Sequence, residues 1–243
     1  MLELFPAGFE EGDVNGALEL AAYGDAAAER RVRATFAGVR RVAVAPGWED
    51  GWRVFHRPVT VGPLWIGPPW ERPPPGVVPV VIEPGRAFGT GAHATTRICV
   101  GLVAALPRGS LLDLGCGSGV VAVAAAKLGF APVFAVDNDD AAVEATARNA
   151  AANGVPIDVR AADVLVDEVP PADVAVANIA IGPVRSLAAR VDCRRLVASG
   201  YRLEDRLRAI AFRHVERREA DGWAADLFER ASRGPRELAS PSR

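Results

Sequence analysis

The sequence predicts an α/β protein: a mostly parallel seven-stranded sheet with helices on both faces, preceded by a small N-terminal α+β module. Three observations predict it. Beyond residue 110, short apolar runs alternate with helical patterns, as expected for buried parallel strands joined by crossover helices. A glycine-rich turn, Asp113-Leu114-Gly115-Cys116-Gly117-Ser118-Gly119, separates one such run from one such helix. An acid, Asp137, closes the next apolar run.

The elements follow in order. LELFPAGF (2–9) and RRVAVAP (40–46) read as strands, and GALELAAYG (16–24) and AAERRVRATFAGV (27–39) have helical spacing. Residues 1–45 thus form a small module, whose core is weak for its size. Residues 46–76 hold Trp48, Trp52, Trp65 and Trp70 and the run Pro73-Pro74-Pro75-Gly76. Proline fixes φ and removes donors, so this reads as a semi-rigid linker with short extended pieces. Residues 77–231 form the main domain. ATTRICVGLVAAL (94–106) is an amphipathic helix behind two glycine turns. The strands are 111–115, 132–137, 157–163, 172–179, 194–200, 214–219 and 223–228, and the helices are 120–129, 140–154, 182–190 and LEDRLRAIAF (203–212). Gly154 is a natural C-terminal stop. The tail, 232–243, reads as disordered.

Composition narrows the function. Half of the 243 residues are hydrophobic and 24% are charged, which is enough apolar surface for a real core. The balance of 28 basic and 30 acidic residues excludes a polycation that coats nucleic acid. Cys99, Cys116 and Cys193 are scattered and odd in number, so neither a disulfide framework nor a metal site is expected. The acidic start, MLELFPAGFEEGD, lacks the basic and apolar regions of a signal peptide, and no apolar run reaches the ~18 residues of a membrane span. A cytoplasmic protein with no membrane partner is expected.

The glycine turn carries the chemistry. Glycines let backbone turn tightly and approach a ligand, and the following helix start offers unpaired N–H groups. Asp137 stands where a carboxylate accepts both hydroxyls of a ribose. A dinucleotide fingerprint would need glycine at 120, which is Val120, so a nicotinamide dehydrogenase is disfavoured. Asp163 and Asn178 end the third and fourth strands of the domain, at the sheet edge where α/β proteins bind ligands. Asn178 there can orient an incoming amine. Upstream, Glu83 to Thr96 supplies a loop over the same edge, with a Thr pair able to cap the helix or bond a ligand carboxylate.

The D-x-G-x-G-x-G turn resembles the first motif of the Rossmann-like class I methyltransferases, which use S-adenosyl-L-methionine. The stretch Phe88-Gly89-Thr90-Gly91-Ala92-His93-Ala94-Thr95-Thr96 matches every fixed position of the F-G-T-G-x-H-x-T-T pattern of the PrmA family, the ribosomal protein L11 methyltransferases. Trp48, Trp52 and Arg53 match its W-x-x-x-W-R, and AVDNDD and VANI follow in order. The resemblance spans about residues 46–230 and is densest over 77–180. It implies an S-adenosylmethionine-dependent protein N-methyltransferase acting on lysine or amino groups of ribosomal protein L11, with the N-terminal module recognising that substrate. Family cofactor contacts carry over onto Thr96, Gly115, Asp137 and Asn178. Phe88, Gly89 and Thr90 lie in the matching loop, Asp113, Gly117 and Gly119 in the glycine turn, and Asp163 where such enzymes contact adenine. Asn178 is the candidate catalytic residue, and His93 is read as a brace for the loop. Two departures stand out: a short N-terminal module, and no Pro-Gly-Gly turn before the fifth strand, where Val191 to Arg195 runs straight through. They keep open the same chemistry on another protein or a small molecule, or a catalytically silent cofactor-binding paralogue. The arginines of the C-terminal part, from Arg194 to Arg218, permit a weak contact with ribosomal RNA, but the interspersed acids favour a salt-bridged, solvated face.

Overall fold

Seven strands form the central sheet, in the order β11-β12-β10-β9-β6-β7-β8. They are β6 (Leu111–Leu114), β7 (Val133–Asp137), β8 (Asp158–Ala161), β9 (Ala172–Asn178), β10 (Cys193–Arg202), β11 (Phe212–Ala220) and β12 (Trp223–Arg230). The structure is a computed structural model that describes residues 10–14, 17–21, 26–36, 38–39, 56–84, 91–208 and 211–231. Strands β10, β9, β6, β7 and β8 run parallel, and β12 is antiparallel to both its neighbours. The chain leaves β6 in one direction through β7 and β8, then returns to lay β9 and β10 on the other side. The switch point lies between β6 and β9, where open α/β sheets bind ligands.

Apolar residues on both sides of each strand explain the layers. Leu111, Ala135, Val174, Val176 and Val197 face one core cluster, while Leu112, Leu114, Val136, Ala175, Ala177 and Leu196 face another. Helices α2 (Ala94–Ala105) and α3 (Val120–Lys127) fill the first face, with α4 (Asp140–Asn153) packed beside α3. Helix α5 (Ile181–Arg190) covers the second through Val184, Leu187 and Ala188. Helix α4 is capped at both ends. The Asp139 carboxylate accepts from the Ala141 amide, and Gly154 ends the helix at φ 64°.

A second, three-stranded sheet covers the helices of the first face. It comprises β3 (Val59–Val61), β4 (Leu64–Gly67) and β5 (Val78–Val81), with β3–β4 antiparallel and β4–β5 parallel. Leu64, Ile66, Val80 and Ile82 join the cluster of α2 and α3, and Trp65 is buried. These strands begin inside the stretch that composition sets apart as a linker. The chain divides into two units, Met1–Gly51 and Trp52–Arg243, and both sheets described so far belong to the second.

The first unit contains β1 (Glu10–Val14), β2 (Ala17–Ala21) and α1 (Ala26–Thr35). The helix expected over 16–24 is a strand instead: Ala17–Ala21 pairs antiparallel with Glu10–Val14. The run Ala-Leu-Glu-Leu-Ala alternates as well as it spirals, and five residues are too few for periodicity to decide. The strands expected at 2–9 and 40–46 lie outside the described residues.

A second correction concerns residues 203–212. No helix forms over 203–208, and Phe212 already belongs to β11. The Asp205 carboxylate accepts from the Arg202 amide at 3.1 Å, and the Arg217 guanidinium donates to the carbonyls of Leu203 and Asp205. Side chains thus engage backbone groups that a helix would need. Leu203 and Leu207 still pack against the second cluster, so the apolar spacing is real but serves a connection. Among the described residues, no helix is long and apolar enough to cross a membrane.

Candidate functional site

Strand register builds the site. Leu114 pairs with Val136 on one side and Ala177 on the other, so Gly115, Asp137 and Asn178 stand level, each one residue further on. Asp137 pairs with Ala161, which sets Ala162 and Asp163 just beyond, and Asn178 pairs with Ser199, which sets Gly200 just beyond. These strand ends open into a cavity of about 850 Å³. That is within the range of small-molecule sites. Of the residues expected to bind a cofactor, Thr96, Asp113, Gly115, Gly117, Asp137, Asp163 and Asn178 line it. Gly119 does not. Phe88, Gly89 and Thr90 lie outside the described residues.

The glycine turn is held from several sides. Gly115 adopts φ 74°, and a Cβ there would lie 2.5 Å from Ile179 Cγ2. Gly119 adopts φ 79° as the N-cap of α3, and a Cβ would lie 2.7–3.0 Å from Thr146, including its Cα. Its role is therefore close packing against α4. Lacking a side-chain cap of its own, α3 is capped from β6: Asp113 Oδ2 accepts from the Ala122 amide at 3.1 Å. Burial pushes the Asp113 carboxyl up to about 7, the Ala122 bond opposes this, and the Asp137 charge adds to it. Asp137 Oδ2 accepts from Gly117 N at 2.9 Å and Oδ1 from Asp139 N at 3.1 Å. A carboxylate offers about four lone-pair sites, so both oxygens keep capacity for a ligand.

At the far end of the cavity stand residues of α2, β9 and β12. Thr96 Oγ1 and Asn178 Oδ1 are buried without a hydrogen-bond partner among the described residues. Such atoms are uncommon in folded chains, and both oxygens keep acceptor capacity that the described residues do not use. The neighbouring Thr95 is engaged: its hydroxyl lies 2.8 Å from His93 Nδ1, which also accepts from the Thr95 amide and so caps α2. Burial, then the charges of Arg97 and Arg202, lower the His93 pKa, with Asp221 opposing them. His93 meets Trp223 edge to face at 4.9 Å, and the Arg202 guanidinium stacks on Trp223 at 4.2 Å. Asp163, at the other end, accepts from Leu165 N through Oδ1 and so shapes its own turn.

Sequence reasoning missed several residues of the wall, Gly200 and Trp223 among them. Gly200 sits at a bulge of β10 with φ 98°, and a Cβ there would lie 2.1 Å from the Ile179 carbonyl oxygen. A glycine ending a strand pattern was the available signal. Trp223 follows the Asp221-Gly222 turn, both at positive φ, that joins β11 to β12. An Asp-Gly pair between strand-like runs marks such a hairpin. Its tip is held to α2 by an ion pair between Arg97 and Asp221.

The sheet order, the glycine turn and Asp137 at the end of the next strand define the class, a Rossmann-like methyltransferase fold. The ribosomal protein L11 methylase of Lactobacillus delbrueckii subsp. bulgaricus superposes with a TM-score of 0.62 at 28% identity, over 72% of this chain and 99% of that one. The chain belongs to the family described as ribosomal protein L11 methyltransferase (PrmA), whose model matches residues 25–225. The ribosomal protein L11 methyltransferase of Symbiobacterium thermophilum is 41% identical over 202 residues, 74% of this chain and 64% of the relative. That of Legionella pneumophila strain Lens is 37% identical over 199 residues, 74% of this chain and 68% of the relative. The chain thus spans about two thirds of the length of these relatives.

Proposed function

We propose that this chain is an S-adenosylmethionine-dependent N-methyltransferase that modifies lysine or amino groups of ribosomal protein L11. The observation that carries the reading is the pair of unpartnered buried oxygens, Thr96 Oγ1 and Asn178 Oδ1, in the cavity that Asp137 enters from the opposite end. These residues suit a ligand with a ribose at one end and an amino acid at the other. Asp137 would take the ribose hydroxyls, Asp163 and its loop would flank the base, and Thr96, at the start of α2, would meet the methionine carboxylate. The Gly115–Gly119 turn would lie along the middle, with Phe88, Gly89 and Thr90 contributing from the preceding loop.

When bound, the cofactor supplies a methyl group already activated on a sulfonium. The chain's own residues then need to orient an amine and exclude water; such orientation is worth ~7–11 kcal/mol. Asn178 Oδ1 is the acceptor that takes an amine N–H and aims the nitrogen lone pair. A free lysine amine has a pKa of ~10.4, and desolvation beside a cation favours its neutral form. A strong base is therefore not required. His93, committed to Thr95 and Trp223, braces α2. The chemistry calls on no metal.

The reading places the protein in the cytoplasm with its ribosomal substrate, and gives the N-terminal module the task of recognising it. Contact with ribosomal RNA is at most weak, because the arginines around β11 are committed. Arg195 and Arg213 pair with Glu229, Arg217 with Glu219 and Asp226, and Arg218 with Glu216.

Intact-mass spectrometry of ribosomal protein L11 incubated with this chain and S-adenosylmethionine tests the proposal. Mass gained in whole methyl increments supports it. Cofactor binding without any gain in mass would move the substrate elsewhere, to another protein, a small molecule or a silent role.

A further inference from the structure

Helix α4 presents a polar stripe where a packed helix normally shows apolar residues. Thr146, Asn149 and Asn153, spaced i, i+3 and i+7, are all buried. Thr146 Oγ1 donates to the Gly117 carbonyl at 3.0 Å. Asn149 Nδ2 donates to the Ser118 carbonyl at 2.8 Å, while its Oδ1 accepts from Glu83 N at 3.0 Å. Asn153 works elsewhere: its amide pairs with both the N–H and the carbonyl of Val81, on the open edge of β5.

Three successive peptide planes of the glycine turn are therefore fixed by side chains. Asp137 holds Gly117 N, Thr146 holds Gly117 O, and Asn149 holds Ser118 O. A turn with three glycines at positive φ has much freedom to lose when it closes on a ligand. Restricting that freedom in advance lowers the cost of binding. We infer that Thr146 and Asn149 are positioning residues that set cofactor affinity by preorganising the glycine turn, whereas the side chain of Asn153 completes the β5 edge and hydrogen-bonds to no atom of that turn. The inference rests on the cofactor reading of the cavity.

Calorimetric titration with S-adenosylhomocysteine separates these roles, with the thermal midpoint of each variant measured alongside. Thr146→Val and Asn149→Ala should each weaken binding about ten-fold, equivalent to about 1.4 kcal/mol. Asn153→Ala should lower the thermal midpoint comparably yet change affinity less than about two-fold, well within that ten-fold unit. Thr146→Val keeps the side-chain shape and so carries the test if Asn149→Ala does not fold. Affinity losses that track the thermal midpoint across all three variants would overturn the inference, as would unchanged affinity in both loop variants. No binding by the unaltered chain would overturn the cofactor reading itself, and the inference with it.

Discussion

Helices α3 and α4 lie side by side against the same glycine turn and are built in opposite ways. Residues Val120 to Ala125 of α3 are all buried and apolar. Helix α4 buries Ala142, Ala145 and Ala150 together with Thr146, Asn149 and Asn153. The first is a plug: it fills the space between the two sheets, and its contacts are non-directional. The second is a scaffold, whose directional bonds satisfy backbone groups of a turn and a strand edge. The difference teaches that neighbouring helices of one layer can do different work: α3 fills space, while α4 also fixes the backbone of a turn and a strand edge.

The contrast is open to direct attack. The largest effect should come at the start of α3, where Asp113 is buried. Burial raises its pKa in the folded chain from the ordinary 3.8 to about 7, so between these values the folded chain holds a proton that the unfolded chain has released. Stability from this group is therefore lost as pH rises between these values, and the full penalty stands above pH 7. Asp113→Asn removes the charge and keeps an acceptor for the Ala122 amide. Relative to the variant, the unaltered chain should lose up to about 4 kcal/mol from about pH 4 to about pH 8, at about 1.4 kcal/mol per pKa unit. Urea denaturation at both pH values measures this, and a difference independent of pH would contradict it.

Next comes the contact between the helices. Gly119→Ala adds a Cβ within 3.0 Å of the Thr146 Cα at a positive φ, and should cost about 3 kcal/mol. An unchanged urea midpoint would show that the two helices are not locked at this point. A smaller and cleaner effect belongs to the plug alone. Val123→Ala, fully buried, should cost about 2 kcal/mol and leave S-adenosylhomocysteine affinity within about two-fold. Affinity falling with stability there would blur the distinction drawn between plug and scaffold.

The sequence made these two helices unequally legible. The run VVAVAAAK after glycines announces α3, and the helical pattern of 140–154 with its terminal Gly154 announces α4. What periodicity hides is the inward face of α4. Thr146, Asn149 and Asn153 read as surface residues because polar side chains seldom enter a core, and only their spacing hints otherwise. The central strands were legible for the same reason as α3, since Leu111, Val174 and Val197 are apolar on one sheet face and Leu112, Ala175 and Leu196 on the other. The site followed from register: once 111–114, 133–137 and 172–178 are parallel neighbours, Gly115, Asp137 and Asn178 must stand level. The C-terminal part was harder. LEDRLRAIAF has helical spacing, yet Arg217, distant in sequence, takes the carbonyls of Leu203 and Asp205. Trp223 reaches the cavity only because β12 inserts between β10 and β11, an order that local patterns do not encode.

The central claim is that one cavity holds a cofactor along the glycine turn and receives an amine at Asn178. Asn178→Ala tests it, with S-adenosylhomocysteine affinity and methyl transfer to ribosomal protein L11 measured on the same preparation. The account predicts turnover falling about a hundred-fold or more, at ten-fold per 1.4 kcal/mol of lost transition-state stabilisation, while affinity changes only a few-fold. Equal losses of both would contradict it, and would make Asn178 a binding residue with no separate part in aiming the amine.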